Sequence, residues 1–301
     1  MRALVISGGG SKGAFAGGVA QYLIENKGKE YDILIGTSTG SLLVSHLALK
    51  EVEKIKEVYT NVTQNDIFSV CPFNIKKKRG VETIGIHHFN VLKNFFQGSK
   101  TFGESHNLKA LIKEKFTELE YVELIERKLD VSVTVSNLSL NQVEYKSIKD
   151  YSYEDFCEWI WISCNYTPFM SLVKKNGCEY ADGGLGAMVP IEEAIKRGAT
   201  EVDAIILQTE VTQLNRMPSI NPFSLLTNMF SFMLDRIESQ NIRIGKFVAN
   251  NQNAIINFYY TPTVLTTNSL IFNKEKMTKW WKSGFNFAKH SNEETSQIET
   301  E

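Results

Sequence analysis

"VISGGGSKGAF" occupies residues 5–15 of the 301-residue chain. An apolar run suited to a strand ends, three glycines follow, and a helix-like segment begins. Such a turn presents backbone N–H groups, and exposed N–H groups attract negative charge. That charge is either the phosphate of a bound nucleotide or an oxyanion formed during a reaction.

The surrounding pattern fixes the setting of the loop. "RALVIS" (2–7) and "YDILIG" (31–36) are short apolar runs, suited to strands buried on both faces. "AFAGGVAQYLIE" (14–25) and "SLLVSHLALK" (41–50) read as helices. Strand, helix, strand, helix implies a right-handed crossover and a parallel sheet. Further strands are expected at 128–137, 142–148, 201–209 and 254–262, and a helix at 153–163. Asn176-Gly177 marks a tight hairpin within 171–184, and Pro190 suits the first turn of a helix that Gly198 ends. The stretch 74–90 has a basic run and little periodicity, and reads as an excursion from the sheet.

Gly8, Gly10 and Gly13 form G-x-G-x-x-G, the dinucleotide fingerprint. That fingerprint requires an acid at the carboxyl end of the second strand. The acid at about the right distance, Asp32, lies at the start of that strand and so at the opposite edge of the sheet. A P-loop is excluded because Lys12 follows Ser11 rather than a glycine. The carboxyl end of the second strand carries instead Gly36-Thr37-Ser38-Thr39-Gly40, a G-x-S-x-G between a buried strand and a helix. A sharp turn there exposes the serine hydroxyl, and the glycines let strand and helix approach closely. Parallel neighbours end on one edge of a sheet, so the glycine loop lies beside Ser38. It is placed to donate N–H groups to an oxyanion formed when Ser38 attacks an ester carbonyl. Lys12 adds positive potential or is a solvated charge at a helix start.

Ser38 needs a base. Of the five histidines, His46 lies two turns along the helix behind Ser38, His87 and His88 fall in the irregular middle, and His290 is in a polar stretch near the end. None, His106 included, is well placed. Asp182 precedes Gly183 and Gly184 directly after the hairpin. Alone it reads as an Asp-Gly turn. Together with the glycine loop and the serine elbow it reads as a carboxylate that accepts the serine proton directly.

The blocks "GGGSKG" (8–13), "GTSTG" (36–40) and "DGG" (182–184), in that order, resemble the patatin-like phospholipase family. "TPFM" (167–170), "VPIEEAIKRGATEVDAIIL" (189–207) and "FNKEKMTKWWKSGFNFAKH" (272–290) support the resemblance. It implies an α/β fold, a three-layer α/β/α sandwich with a mostly parallel central sheet. It implies one domain over 1–290, with 291–301 a polar tail. Ser38 would be the nucleophile and Asp182 the general base of a dyad. Gly8, Gly9, Gly10, Ser11, Lys12 and Gly13 would form the oxyanion loop, Gly36 and Gly40 the elbow, and Gly183 and Gly184 the turn after the base. The substrates implied are phospholipids and related acyl esters, cleaved as by a phospholipase A or lysophospholipase without metal or cofactor. The chain departs from the family pattern at Ser7, where Asp is common, at Lys12, where Arg is, and at "LGAMVP" (185–190), which is longer and more apolar.

Composition is that of an ordinary globular protein, with 43 % hydrophobic and 22 % charged residues and a net charge of −1, so no global field favours nucleic acid. Cys71, Cys157, Cys164 and Cys178 read as free thiols, and no cluster has metal-ligand spacing. The N-terminus lacks signal-peptide character and no run suits a membrane span, so a cytoplasmic protein is expected, with contact at a membrane surface where its substrate lies. Two stretches can make that contact: the basic run Lys76–Arg79, or else a solvated loop, and 221–237, a lid with Leu226, Phe230, Met233 and Ile237 at helical spacing, or else a core helix. An NAD(P)-dependent oxidoreductase and a catalytically silent lipid-binding module remain as alternatives.

Overall fold

The two apolar runs that open the chain are neighbouring strands, β1 (Arg2–Ile6) and β2 (Ile33–Thr37), paired in parallel with Ala3 opposite Ile33 and Ile6 opposite Gly36. Side chains alternate across a strand. Leu4 and Ile6 therefore enter one apolar cluster while Ala3 and Val5 enter another on the opposite face. A sheet apolar on both faces needs helices on both sides. The computed structural model describes residues 1–78, 81–211, 219 and 222–298, with the backbone alone for 76–78, 81–83, 223 and 292–298.

Helices α1 (Gly13–Gln21) and α2 (Thr39–Ala48) follow the first two strands, and α3 (Val52–Asn61) and α4 (Gln64–Ile67) come next. A hairpin of β3 (Phe73–Lys78) and β4 (Val81–Ile86) forms its own antiparallel sheet and leads to α5 (His88–Phe96), α6 (His106–Lys115) and α7 (Glu118–Glu126). The chain then makes β5 (Asp130–Asn137), β6 (Gln142–Ser147), α8 (Tyr153–Ser163), β7 (Val173–Lys175) and β8 (Cys178–Asp182). It closes with α9 (Ile191–Lys196), β9 (Glu201–Ile206), α10 (Pro222–Gln252), β10 (Ile255–Tyr260) and α11 (Lys274–Ile298). The main sheet has the order β10-β9-β1-β2-β5-β8-β7, with β6 on β5. It is parallel from β10 to β5 and antiparallel beyond, with α1, α2, α3, α8 and α11 against one face and α9 and α10 against the other. This is the mostly parallel α/β/α sandwich that the sequence implies.

One detail of this topology positions the site. β6 pairs with β5 from Ser132 to Asn137 and takes one edge of it. The other edge is shared: β2 pairs up to Thr134, and β8, running the opposite way, pairs from Val135 onward. Thr37 lies opposite Thr134 and Asp182 opposite Val135. The two strands thus meet end to end, and the residues at their tips, Ser38 and Asp182, face each other.

The hairpin at Asn176-Gly177 forms as expected, with φ of 52° and 80° at its two central residues, as a type I′ turn requires. Pro190 is the N-cap of α9 rather than its first helical residue, and Gly198 follows the helix with φ 96°. The excursion at 74–90 is a β-hairpin whose strands the charge run hides; the side chains of the basic run Lys76–Arg79 lie outside the described residues. Of the stretch 221–237, residue 221 lies outside the described residues and the rest is partly buried. It opens α10, where Leu226 and Phe230 pack against one core cluster and Ile237 against the other, while Met233 is 47 % exposed. Within the expected polar tail the backbone of α11 continues to Ile298; residues 299–301 lie outside the described residues. The packing of α11 on α1 buries Trp281, whose Nε1 donates to Gln21 Oε1 at 2.8 Å.

Candidate active site

Ser38 sits between β2 and α2 with φ 52° and ψ −118°, a backbone conformation that costs a side-chain-bearing residue roughly 1–3 kcal/mol. Four contacts hold it there. Its N–H donates to Ser163 Oγ at 3.0 Å, and that hydroxyl donates to Thr134 O at 2.6 Å. Cys164 Sγ lies 3.0 Å from Ser38 O, and Ser41 N donates to the same carbonyl at 2.9 Å. The turn is as tight as the glycine spacing suggests: a Cβ on Gly40 would lie 2.3 Å from Ile6 O.

The Ser38 hydroxyl donates to Asp182 Oδ2 at 2.7 Å. The other carboxylate oxygen accepts from Gly184 N at 2.7 Å, and Asp182 N donates to Asn165 O at 2.9 Å. Asp182 is buried, and burial pushes its carboxyl up from the ordinary value to about 7, against the opposing pull of the Ser38 and Gly184 hydrogen bonds. A carboxyl near 7 is a much stronger base than a solvated one of about 4.

The glycine loop lies alongside. Ser7, where the family pattern commonly has Asp, is fully buried; its Oγ donates to Gly8 O and accepts from Leu207 N, which ties the loop to the end of β9. Within the loop Gly8 N donates to Met188 O, Ser11 N to Ser269 O and Lys12 N to Gly9 O. Among the described residues no acceptor takes the N–H of Gly9 or Gly10. Gly10 has φ 55°, and a Cβ there would lie 2.3 Å from Ser269 O, so only glycine fits. Thr39 Oγ1 and the Tyr59 hydroxyl both donate to Gly10 O, at 2.9 and 3.0 Å, and so fix that carbonyl. Thr39 opens α2, so its own N–H has no intrahelical partner. Lys12 is no solvated charge: its ammonium donates to Leu207 O at 2.6 Å, and burial lowers its pKa against the pull of Glu238. Met188, from the stretch that departs from the family spacing, stands beside Gly8 and Gly184.

None of the five histidines bonds to Ser38 or Asp182. His46 is buried behind α2, pushed down to about 4 by burial and therefore neutral. His87 caps α5, and His106 and His290 are exposed. His46 Nδ1 does lie 3.9 Å from carboxylate oxygens of Glu51 and Glu120, a grouping that the wide spacing of these residues conceals. The Lys54 ammonium already bridges both carboxylates there. Asp32, the acid weighed for a ribose, accepts from Arg2 N at 2.8 Å at the amino end of the sheet, away from the glycine loop.

A serine on a strained strand-to-helix turn, a buried carboxylate on its hydroxyl and unclaimed N–H groups beside it can together carry out acyl transfer. The family model described as Patatin-like phospholipase matches residues 4–195, and the chain belongs to that family. Curated proteins yield no match. Among solved structures, VipD from Legionella pneumophila is similar to the chain at 14 % identity and a TM-score of 0.47, over 96 % of this chain and 66 % of that one. The chain thus spans just under two thirds of VipD's length.

Proposed function

We propose that the chain is an acyl-ester hydrolase of the phospholipase A or lysophospholipase type, working through a Ser38–Asp182 dyad. The observation that carries this is the 2.7 Å hydrogen bond from Ser38 Oγ to a buried carboxylate, beside the unclaimed N–H groups of Gly9 and Gly10. Asp182 takes the Ser38 proton as the oxygen attacks the ester carbonyl. The tetrahedral oxyanion is held by Gly9 and Gly10 N–H, with Thr39 N–H a further donor. Collapse expels the alcohol, which receives its proton from Asp182. A water activated by the same carboxylate then releases the acid from Ser38. Each oxyanion donor is worth about 10²–10³ in rate, which offsets the modest basicity of a carboxylate.

A fluorogenic medium-chain ester in EDTA tests this reading. Turnover is expected to persist, because every group in the scheme belongs to the chain. NAD(P) binding without turnover would favour an oxidoreductase. Turnover that stops in EDTA and returns with a divalent ion would make the dyad scheme wrong. Lipid vesicles are unsuited to this control, since divalent ions also alter their surface.

The raised Asp182 carboxyl gives a pH signature. Below its pKa the group is protonated and cannot accept the serine proton. The value of kcat/KM should therefore rise about tenfold per pH unit up to an apparent pKa of about 7 and then level off. A midpoint near 4, the solvated carboxylate value of about 3.9, would contradict a buried Asp182 as base.

A further inference from the structure

Helix α5 is built inside out. Its polar Asn94 is buried and donates to Thr101 O at 2.9 Å, and Asn90 donates to Cys71 O at 2.9 Å. Its apolar side chains face solvent: Phe89 is 73 % exposed, Leu92 56 % and Phe96 82 %. A nine-residue helix that packs through asparagines and bares phenylalanines has the wrong polarity for water on that side. The opening half of α10 repeats the pattern, with Leu225, Met229 and Phe232 at 51, 54 and 60 % exposure, while Leu226 and Phe230 pack inward.

A chain of rings joins the two helices: Phe95 to Phe102, Phe102 to Phe169 and Phe169 to Phe230, with centroids 5.8–6.0 Å apart. Phe169 and its neighbour Tyr166 leave directly from Cys164 and Asn165, the two residues that contact Ser38 O and Asp182 N. The packed sides of both helices therefore meet at the turn beside the candidate site, and the bare residues lie on the same two helices. Charge agrees with one kind of partner. The sequence 73–100, which holds α5 and the hairpin before it, has six Lys and Arg against one acid, Glu82, in a chain of net charge −1; Lys100 is paired with Glu179, and the side chains of Lys76–Arg79 lie outside the described residues.

We propose that α5 and the first half of α10 form a docking face for an anionic lipid surface, with Phe89, Leu92 and Phe96 entering the apolar layer. The proposal rests on the hydrolase reading for its biological sense, since the substrate would then lie in the surface the face meets. Phenylalanines at an interface exchange water for acyl chains, and cations nearby are drawn to the negative headgroups.

Co-sedimentation with vesicles of equimolar phosphatidylcholine and phosphatidylserine tests it, with soluble-ester turnover measured in parallel. The wild type should bind, more weakly in high salt and on pure phosphatidylcholine. The double variant Phe89→Ser with Phe96→Ser should lose about 100-fold in partitioning, roughly tenfold per ring, with soluble-ester turnover and thermal stability unchanged. Leu119→Ser on α7, also at a highly exposed site, should bind as wild type. Undiminished binding by the double variant overturns the proposal. So does a wild type that ignores vesicles but self-associates through this face, since that marks a protein interface. Vesicle binding that depends on the two phenylalanines in a protein without ester turnover keeps the docking face and sinks the hydrolase reading instead.

Discussion

Replacing Ser38 by alanine should reduce ester hydrolysis to the buffer background, a loss of about 10⁴-fold or more, the scale on which removal of a covalent nucleophile acts. The fold should survive. The hydroxyl makes one hydrogen bond, to Asp182, while the turn is held by main-chain and neighbouring contacts at Ser163, Cys164 and Ser41. Alanine has the same Cβ and meets the same φ of 52°. Thermal unfolding measured beside kcat/KM separates lost chemistry from lost structure. A folded Ser38→Ala protein with near wild-type turnover would remove Ser38 from the mechanism.

Asp182→Asn should lower kcat by about two orders of magnitude or more, with KM little changed, because it keeps the shape and removes the proton acceptor. The acid limb near pH 7 should go with it, since the group that titrates is gone. Gln in place of His46, His87, His88, His106 or His290, one at a time, should cost far less. Burial holds His46 neutral on the far side of α2, and the other four have their contacts elsewhere or face solvent. A folded His→Gln variant as inactive as Asp182→Asn would turn the dyad into a triad.

Ser38 and the glycine loop could be placed from sequence because both belong to a local strand–turn–helix pattern, and adjacent parallel strands end together by geometry alone. Asp182 could be singled out only in company with those motifs. What brings it to the serine is a long-range pairing: β8 joins the same edge of β5 that β2 has just left. No periodicity records that. The partners Ser163, Cys164 and Tyr59 were equally hidden, for each is an ordinary residue on an amphipathic helix until the fold is known. The β3–β4 hairpin escaped because lysines mask its alternation, and His46, Glu51 and Glu120 because they come from separate elements. The reversed polarity of α5 is visible only once Asn94 is found inside and Phe96 outside.

The most direct measurement is the rate and position of labelling by a fluorophosphonate, which reports an activated serine without any substrate. The adduct should map by peptide mass spectrometry to Ser38, and turnover should fall in step with its formation. The rate should collapse in Asp182→Asn and persist in each histidine variant. An adduct on another serine, or labelling of Ser38 that ignores Asp182 but requires a histidine, would contradict the Ser38–Asp182 dyad.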